Sequence, residues 1–251
     1  MERQAEILDF LCEQETASVG ELADHFGVSR MTIHRDINRL VDLRFARKVR
    51  GGVTVLPSVV FESNYHYRVR RSTADKQALA RRVAEFIEPG MTLMLDDSST
   101  TAALVEFLPE CQPLTIITNA AALVETLRDD DGYTVICLGG RYDATMNAYL
   151  GMTCDLALEH LSADLAVFSV AGVQNGAGYL QEDALVRTKR TMKASVERSV
   201  LAFDSSKFGK SALHKFARLD SFDQVLTTAG ADPAALDELV AAGVPLEVIA
   251  S

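Results

Sequence analysis

The chain reads as an α/β protein in two unequal parts, a small helical head and a larger body in which strands and helices alternate. Its 251 residues allow about 1.7 domains at ~150 residues each. Apolar spacing changes near residue 73 from short helical stripes to strand runs interleaved with helical patterns. Basic residues are gathered in the head, although Lys+Arg 25 against Asp+Glu 35 leaves the whole chain at −10. Hydrophobic residues at 48% and charged residues at 24% are globular values and exclude a largely disordered chain. A balance this acidic excludes nucleic acid or an anionic membrane as a partner unless the charge is uneven.

It is uneven. Residues 1–26 hold Arg3 against Glu2, Glu6, Asp9, Glu13, Glu15, Glu21 and Asp24, whereas residues 27–56 hold Arg30, Arg35, Arg39, Arg44, Arg47, Lys48 and Arg50 against Asp36 and Asp42. In the acidic stretch, Ile7, Leu8 and Leu11 share one helical face, and Leu22, Ala23 and Phe26 share another. Ser18 followed by Glu21 is a capping box opening the second helix, and Gly27 supplies a tight turn. Ser29 caps a third helix with Ile33, Ile37, Leu40 and Val41 inward. In FARKVRGGVTVL, Val49, Val53 and Val55 alternate around Gly51-Gly52, which predicts a hairpin with a primed turn. Three helices and a hairpin make a winged helix-turn-helix over residues 1–56.

With the apolar stripe of the third helix inward, Ser29, Arg30, Thr32, His34, Arg35, Asn38 and Arg39 are left to reach bases or phosphates in the major groove of double-stranded DNA. Arg47, Lys48 and Arg50 on the wing fall near the backbone. The stretch VSRMTIHRDINRL from Val28 to Leu40, followed by RKVRGGV from Arg47 to Val53, resembles the DeoR-type transcriptional regulators, whose pattern is VSxxTIRRDLxxL with a wing ending in Arg-x-x-Gly-Gly. His34 stands where that family usually has Arg, and a mostly neutral imidazole changes what this position contacts.

Residues 57–73, with Pro57, Tyr65, Tyr67, Arg68, Arg70 and Arg71, read as an irregular linker, and residues 74–251 as the α/β body. Five apolar runs end in small polar residues: MTLML at Asp96, LTIIT at Asn119, TVICL at Gly139-Gly140-Arg141, LAVFSVAG at Val173-Gln174-Asn175-Gly176, and SVLAF at Asp204. In an open parallel sheet ligands bind beyond the carboxyl ends of the strands, so these loops are expected to converge on one pocket. Hydroxyls at Ser98, Ser99, Thr100 and Thr101 ahead of the helix TAALVEFL suit an anion at a helix N-terminus, with Lys207 as the compensating charge and with Asp96 and Asn119 expected to orient ligand hydroxyls.

The resemblance extends through this half. The family's DxGTTT corresponds to Asp96–Thr101, its Thr-Asn to Thr118-Asn119, its Gly-Gly to Gly139-Gly140, next to Arg141, and its DxSKFG to Asp204–Gly209. It implies a sensor domain resembling the ribose-5-phosphate isomerase and CoA-transferase superfamily fold, and a phosphorylated sugar or related metabolite as effector. Ser98 replaces the loop glycine, where a Cβ restricts the backbone, and Ala171 replaces an acidic residue of the family.

Cys12, Cys111, Cys137 and Cys154 form no CxxC pair and no metal-ligand spacing with the histidines, so the chain is expected to need no metal or cofactor and to keep its thiols buried and reduced. Without a signal peptide or spanning segment, it is expected to be cytoplasmic. The reading that uses both halves is a sequence-specific DNA-binding repressor, working as a homo-oligomer and responsive to a phosphorylated sugar. The alternative is a sugar-phosphate isomerase with an accessory DNA-binding module, in which Asp96, Asp97, Glu182, Asp183 or Asp204 serves as a general base.

Overall fold

The computed structural model describes residues 2–14, 16–42, 45–55 and 64–250, and the chain divides into two compact units, Met1–Arg68 and Val69–Ser251. The first unit runs α1 (Glu2–Gln14), β1 (Thr16–Ser18), α2 (Val19–Phe26), α3 (Arg30–Asp42), β2 (Ala46–Val49) and β3 (Gly52–Val55). The expected apolar stripes form its core, with Ile7, Leu8, Leu11, Leu22, Ala23, Ile33, Ile37 and Leu40 buried together. The capping box is present: the Ser18 hydroxyl accepts from the Glu21 amide at 3.1 Å, and the Ser18 amide donates to the Glu21 carboxylate at 2.7 Å. Gly27 closes α2 in the left-handed region at φ 62, which glycine adopts without a steric penalty.

The wing differs from expectation in two ways. Val49 pairs with Gly52, so the turn is Arg50-Gly51. Only Gly51 has positive φ, at 91, which gives a type II pattern and not a primed one. Gly52 instead belongs to β3, which also pairs with β1, unforeseen in the sequence, in the order β1-β3-β2. A Cβ on Gly52 would lie 2.1 Å from the Ala17 carbonyl oxygen, so this position serves close packing of strands. Of the expected irregular linker, residues 57–63 lie outside the described residues. Tyr65–Arg70 forms a helix, α4, and Tyr67 packs into the first unit's core.

The second unit opens with α5 (Thr73–Ala84) and is built on seven parallel strands: β4 (Thr92–Leu95), β5 (Leu114–Thr118), β6 (Tyr133–Cys137), β9 (Ala163–Phe168), β12 (Val196–Phe203), β14 (Gln224–Thr228) and β15 (Leu246–Ile249). Their order is β15-β14-β12-β9-β4-β5-β6. The chain moves outward from β4 to β6, then crosses back to β9 on the other side of β4. The order therefore reverses between β4 and β9, where open sheets leave a crevice at the strand ends. Strand residues alternate between two buried faces. Leu93, Leu95, Ile116, Val167 and Ala202 pack with Leu79, Val83, Leu123 and Leu127, and Met94, Ile117, Ala166, Phe168 and Phe203 pack on the opposite side. That second side is covered by α8 (Met152–Leu158), α9 (Asp183–Ala194) and α10 (Pro233–Ala241), reached after α6 (Ser99–Ala102) and α7 (Ala121–Leu127). Cover on both faces is why these strands read as continuous apolar runs.

The five strands expected from the run endings are β4, β5, β6, β9 and β12, and they are adjacent in the sheet. The fourth run is shorter than expected. β9 stops at Phe168, so Ser169 is the first residue beyond it, while β10 (Gly172–Gln174) and β11 (Ala177–Leu180) form a hairpin extended by β13 (His214–Arg218). Asn175 and Gly176 both have positive φ, so the primed turn occurs here, at an Asn-Gly pair suited to it. Gly139-Gly140-Arg141 leads into another hairpin, β7 (Arg141–Asp143) with β8 (Ala148–Leu150). The expected helix TAALVEFL is a single α turn, α6, followed by a 3₁₀ turn over Ala103–Glu106. Pro109 follows closely and lacks the N–H that a continued helix requires. A helix this short, four residues, supplies little dipole to an anion.

Cys111 and Cys154 are buried, but Cys137 is exposed at the end of edge strand β6, contrary to expectation. The Cys12 side chain lies outside the described residues. Burial pushes the Cys154 thiol up to about 12, which leaves it unreactive at neutral pH. Among the described residues, no helix is long and apolar enough to cross a membrane, and no cluster of His, Cys, Asp and Glu could hold a metal ion.

Candidate DNA interface and candidate effector site

In the first unit, α3 turns Ile33, Asp36, Ile37 and Leu40 inward. Arg30, His34, Arg35, Asn38 and Arg39 are exposed on the opposite side, with Thr32 half-buried. The Ser29 hydroxyl accepts from the Thr32 amide at 3.2 Å and pairs with the Thr32 hydroxyl at 2.9 Å, so Ser29 caps the helix as expected. Arg47, Lys48 and Arg50 are exposed on the wing. The face is more cationic than the residue count suggests, because the one acid in the middle of α3 is withdrawn from it. Asp36, only 3% exposed, accepts from Arg3 at 2.8 Å and Gln4 at 3.0 Å, pinning α1 to α3. Burial alone would lift this carboxyl, but the Arg3 and Gln4 hydrogen bonds and the Arg3 and Arg35 charges hold it below its ordinary value.

In the second unit, Asp96 at the end of β4 is fully buried and organises the loop after it. One carboxylate oxygen accepts from the Ser98 amide at 2.9 Å and the Thr101 hydroxyl at 2.8 Å. The other accepts from the Ser169 amide at 2.9 Å and the Lys189 ammonium at 2.7 Å. Lys189 stands on α9, 2% exposed, and donates also to the Ser169 carbonyl at 3.1 Å, with Asp97 3.4 Å away. Burial would raise the Asp96 carboxyl, but the Lys189 charge and the hydrogen bonds around it keep it lowered.

Neither Lys189 nor Ser169 is among the residues expected from the sequence. The signal for Lys189 was its place at helical spacing among Leu185, Val186 and Met192, all buried on α9, where a charged side chain demands a partner. Ser98 in the family's glycine position is unstrained at φ −79, ψ 150, and its hydroxyl caps α6 by accepting from the Thr101 amide. Its Cβ therefore exacts no backbone cost.

The other expected residues lie at the ends of neighbouring strands. Thr118 is buried and engaged, donating to the Leu95 carbonyl at 2.6 Å and accepting from the Ala120 amide at 3.0 Å. Asn119, 1% exposed, donates to the Tyr149 carbonyl at 3.3 Å, while its side-chain oxygen is buried with no hydrogen-bond partner. Ser99 and Thr100 are buried, and the Thr100 hydroxyl lies 3.3 Å from that of Ser169. Asp204 is buried and accepts from the Ser206 amide at 3.1 Å and the Ser206 hydroxyl. Lys207 is half-buried in the 3₁₀ turn after β12. Gly139, Gly140 and Arg141 are exposed after β6, where Arg141 faces Asp143 at 3.4 Å. Val173 forms a parallel bridge with Phe208, which brings the segments beyond β9 and β12 together. Of the carboxylates considered as general bases, Glu182 and Asp183 face solvent, and both oxygens of Asp96 are occupied within the protein.

Comparison with known proteins agrees with both halves. Residues 3–59 match the DeoR-like helix-turn-helix domain, and residues 71–229 match the DeoR C-terminal sensor domain. The chain is 30% identical over 229 residues to the glycerol-3-phosphate regulon repressor of Escherichia coli, covering 91% of this chain and 90% of that one. It is 27% identical over 231 residues to the transcriptional repressor AccR of Agrobacterium fabrum (91% and 90%), and 29% identical over 222 residues to the L-fucose operon activator of Haemophilus influenzae (88% and 89%). Among solved structures, ribose-5-phosphate isomerase from Methanocaldococcus jannaschii covers 53% of each chain at 14% identity and a TM-score of 0.37, a partial likeness that bears on no chemistry. A capped recognition helix with a basic wing, a parallel sheet with its polar loops at one end, and two family matches spanning most of the sequence lead to one conclusion: this chain belongs to the DeoR family of transcriptional regulators.

Proposed function

We propose that this regulator is a repressor that binds a specific operator through α3 and the wing, as a dimer or larger symmetric assembly, and that a phosphorylated sugar or close relative alters that binding. One winged helix reads a short half-site, and a pair sets the spacing of two. The observation that carries the effector assignment is the Asn119 side-chain oxygen, buried beside the switch point with no donor. A ligand hydroxyl supplies one, which removes the cost of a buried unsatisfied acceptor. Lys207 and the hydroxyls of Ser99 and Thr100 take the anionic group. β12 lies two strands from β4, about 10 Å at the usual spacing, a gap that side chains from both ends can bridge around a small phosphorylated ligand. Asp96 and Thr118, expected from the sequence to touch the effector, instead hold the loops in place, since both Asp96 oxygens and the Thr118 hydroxyl are bonded within the protein, and ligand contact falls to their neighbours.

The experiment is calorimetric titration with a panel of polyol, aldose and ketose phosphates and their dephosphorylated parents, paired with operator binding by fluorescence anisotropy. One phosphorylated compound should bind and shift operator affinity, while its parent alcohol does not. Lys207→Ala should weaken that ligand about 10- to 150-fold, the worth of a charge-assisted hydrogen bond, and leave operator binding without ligand unchanged. Equal affinity for phosphorylated and dephosphorylated compounds would refute the assignment.

A further inference from the structure

On the outward side of α3, Met31 is the one large apolar side chain, and it is 78% exposed. At about 100° per residue, Ile33, Asp36, Ile37 and Leu40 centre the buried stripe on a line nearly opposite Met31. Met31 thus lies close to the midline of the outward face, flanked by His34 and Arg35 one turn on and by Asn38 two turns on, all exposed. Scattered surface methionines are ordinary. This one stands in the first turn of the helix, where a helix-turn-helix protein meets base edges, and at the centre of a cationic face complementary to phosphate. A solvated face would be served equally well there by a polar side chain.

The major groove offers one apolar group to such a side chain, the C5-methyl of thymine. Arg35 and Asn38 suit guanine and adenine through hydrogen bonds, but neither gains from a methyl. We infer that Met31 is a specificity-determining residue of the recognition helix, reading a thymine methyl in each half-site. This inference rests on the DNA-binding reading above and adds a particular base and a particular atom to it.

The test is a thermodynamic cycle on the full-length protein. A binding site is first selected from random duplex DNA with the wild type. Each thymine of the half-site is then replaced by deoxyuridine, which removes the methyl and leaves the hydrogen-bonding groups intact. Wild type should lose about fourfold in affinity per half-site at one position, the worth of one buried methyl, and little elsewhere. Met31→Ala should bind the thymine site more weakly and show no thymine preference at that position. Met31→Leu should retain the preference. An exposed residue should leave the melting temperature unchanged, and the loss of an apolar contact should leave the salt dependence unchanged, which separates it from a phosphate contact.

A wild type indifferent to every deoxyuridine, or a Met31→Ala protein with the same preference as wild type, would overturn the inference. Failure of the wild type to select any site would overturn the DNA-binding reading and this inference with it.

Discussion

Replacing Lys189 with Met tests whether the carboxyl end of the sheet depends on one buried charge. The substitution keeps the length and most of the apolar stem but removes the ammonium that sits 2.7 Å from Asp96 and 3.4 Å from Asp97, with all three side chains at most 2% exposed. Removing one partner of a buried pair leaves its charge uncompensated, at a cost of about 3–5 kcal/mol. For a unit of this size each kcal/mol is worth roughly 2–4 °C, so the second unit's melting temperature should fall by roughly 6–20 °C at neutral pH.

The pH dependence should separate this cause from simple loss of packing. In the wild type, the Asp96 carboxyl is lowered from 3.8, so its contribution is complete above that value and disappears only as pH falls through the lower folded one. Between pH 5 and 8 it is constant. In Lys189→Met, burial, the largest influence on Asp96, no longer has the ammonium to oppose it, and the folded carboxyl is raised. Its stabilisation is then lost as pH rises through the raised value, and the variant's deficit should narrow as pH falls from 8 towards 5. Asp96→Asn in the Lys189→Met background should recover part of the loss by removing the stranded charge. Urea unfolding followed by circular dichroism at several pH values measures all three. A deficit below about 1 kcal/mol, running parallel to the wild type from pH 5 to 8, would refute the reasoning.

Two further outcomes concern the first unit. Gly52→Ala places a Cβ 2.1 Å from the Ala17 carbonyl oxygen, so it should destabilise the unit by about 1–3 kcal/mol; an unchanged urea midpoint would mean that β1 does not pack on β3 as described. Arg35→Ala and Arg47→Ala should both lose operator affinity, but in different ways. The first should relax base preference by about 1–3 kcal/mol, while the second should weaken all sequences alike and lower the salt slope by about one. Identical behaviour of both variants and the wild type on operator and random DNA across a salt series would remove this face from DNA reading.

Much of the architecture was legible because it is written in short intervals. The Ser18–Glu21 box, the stripe Ile33–Ile37–Leu40 and the apolar runs of β4, β5, β6, β9 and β12 are patterns of two to four residues, and local backbone geometry alone produces them. The polar residues that end those runs mark the carboxyl edge of the sheet for the same reason. β14 and β15 are not legible in the sequence, since QVLTT and LEVI are short runs that carry no distinctive pattern on their own.

What the tertiary structure decided is how residues distant in sequence pair. Lys189 is 93 positions from Asp96, and no local periodicity links them; only the crossover that sets β9 beside β4 and α9 behind them brings the charges together. Asp36 counts in the sequence as an acid diluting a basic helix, yet its contact with Arg3 and Gln4 takes it off the outward face. Gly52 reads as half of a turn until β1 arrives as a third strand. In each case one side chain had alternatives that were equal locally, and burial against a distant partner chose among them, because an unpaired charge or a colliding Cβ in the interior costs more than local preference can offset.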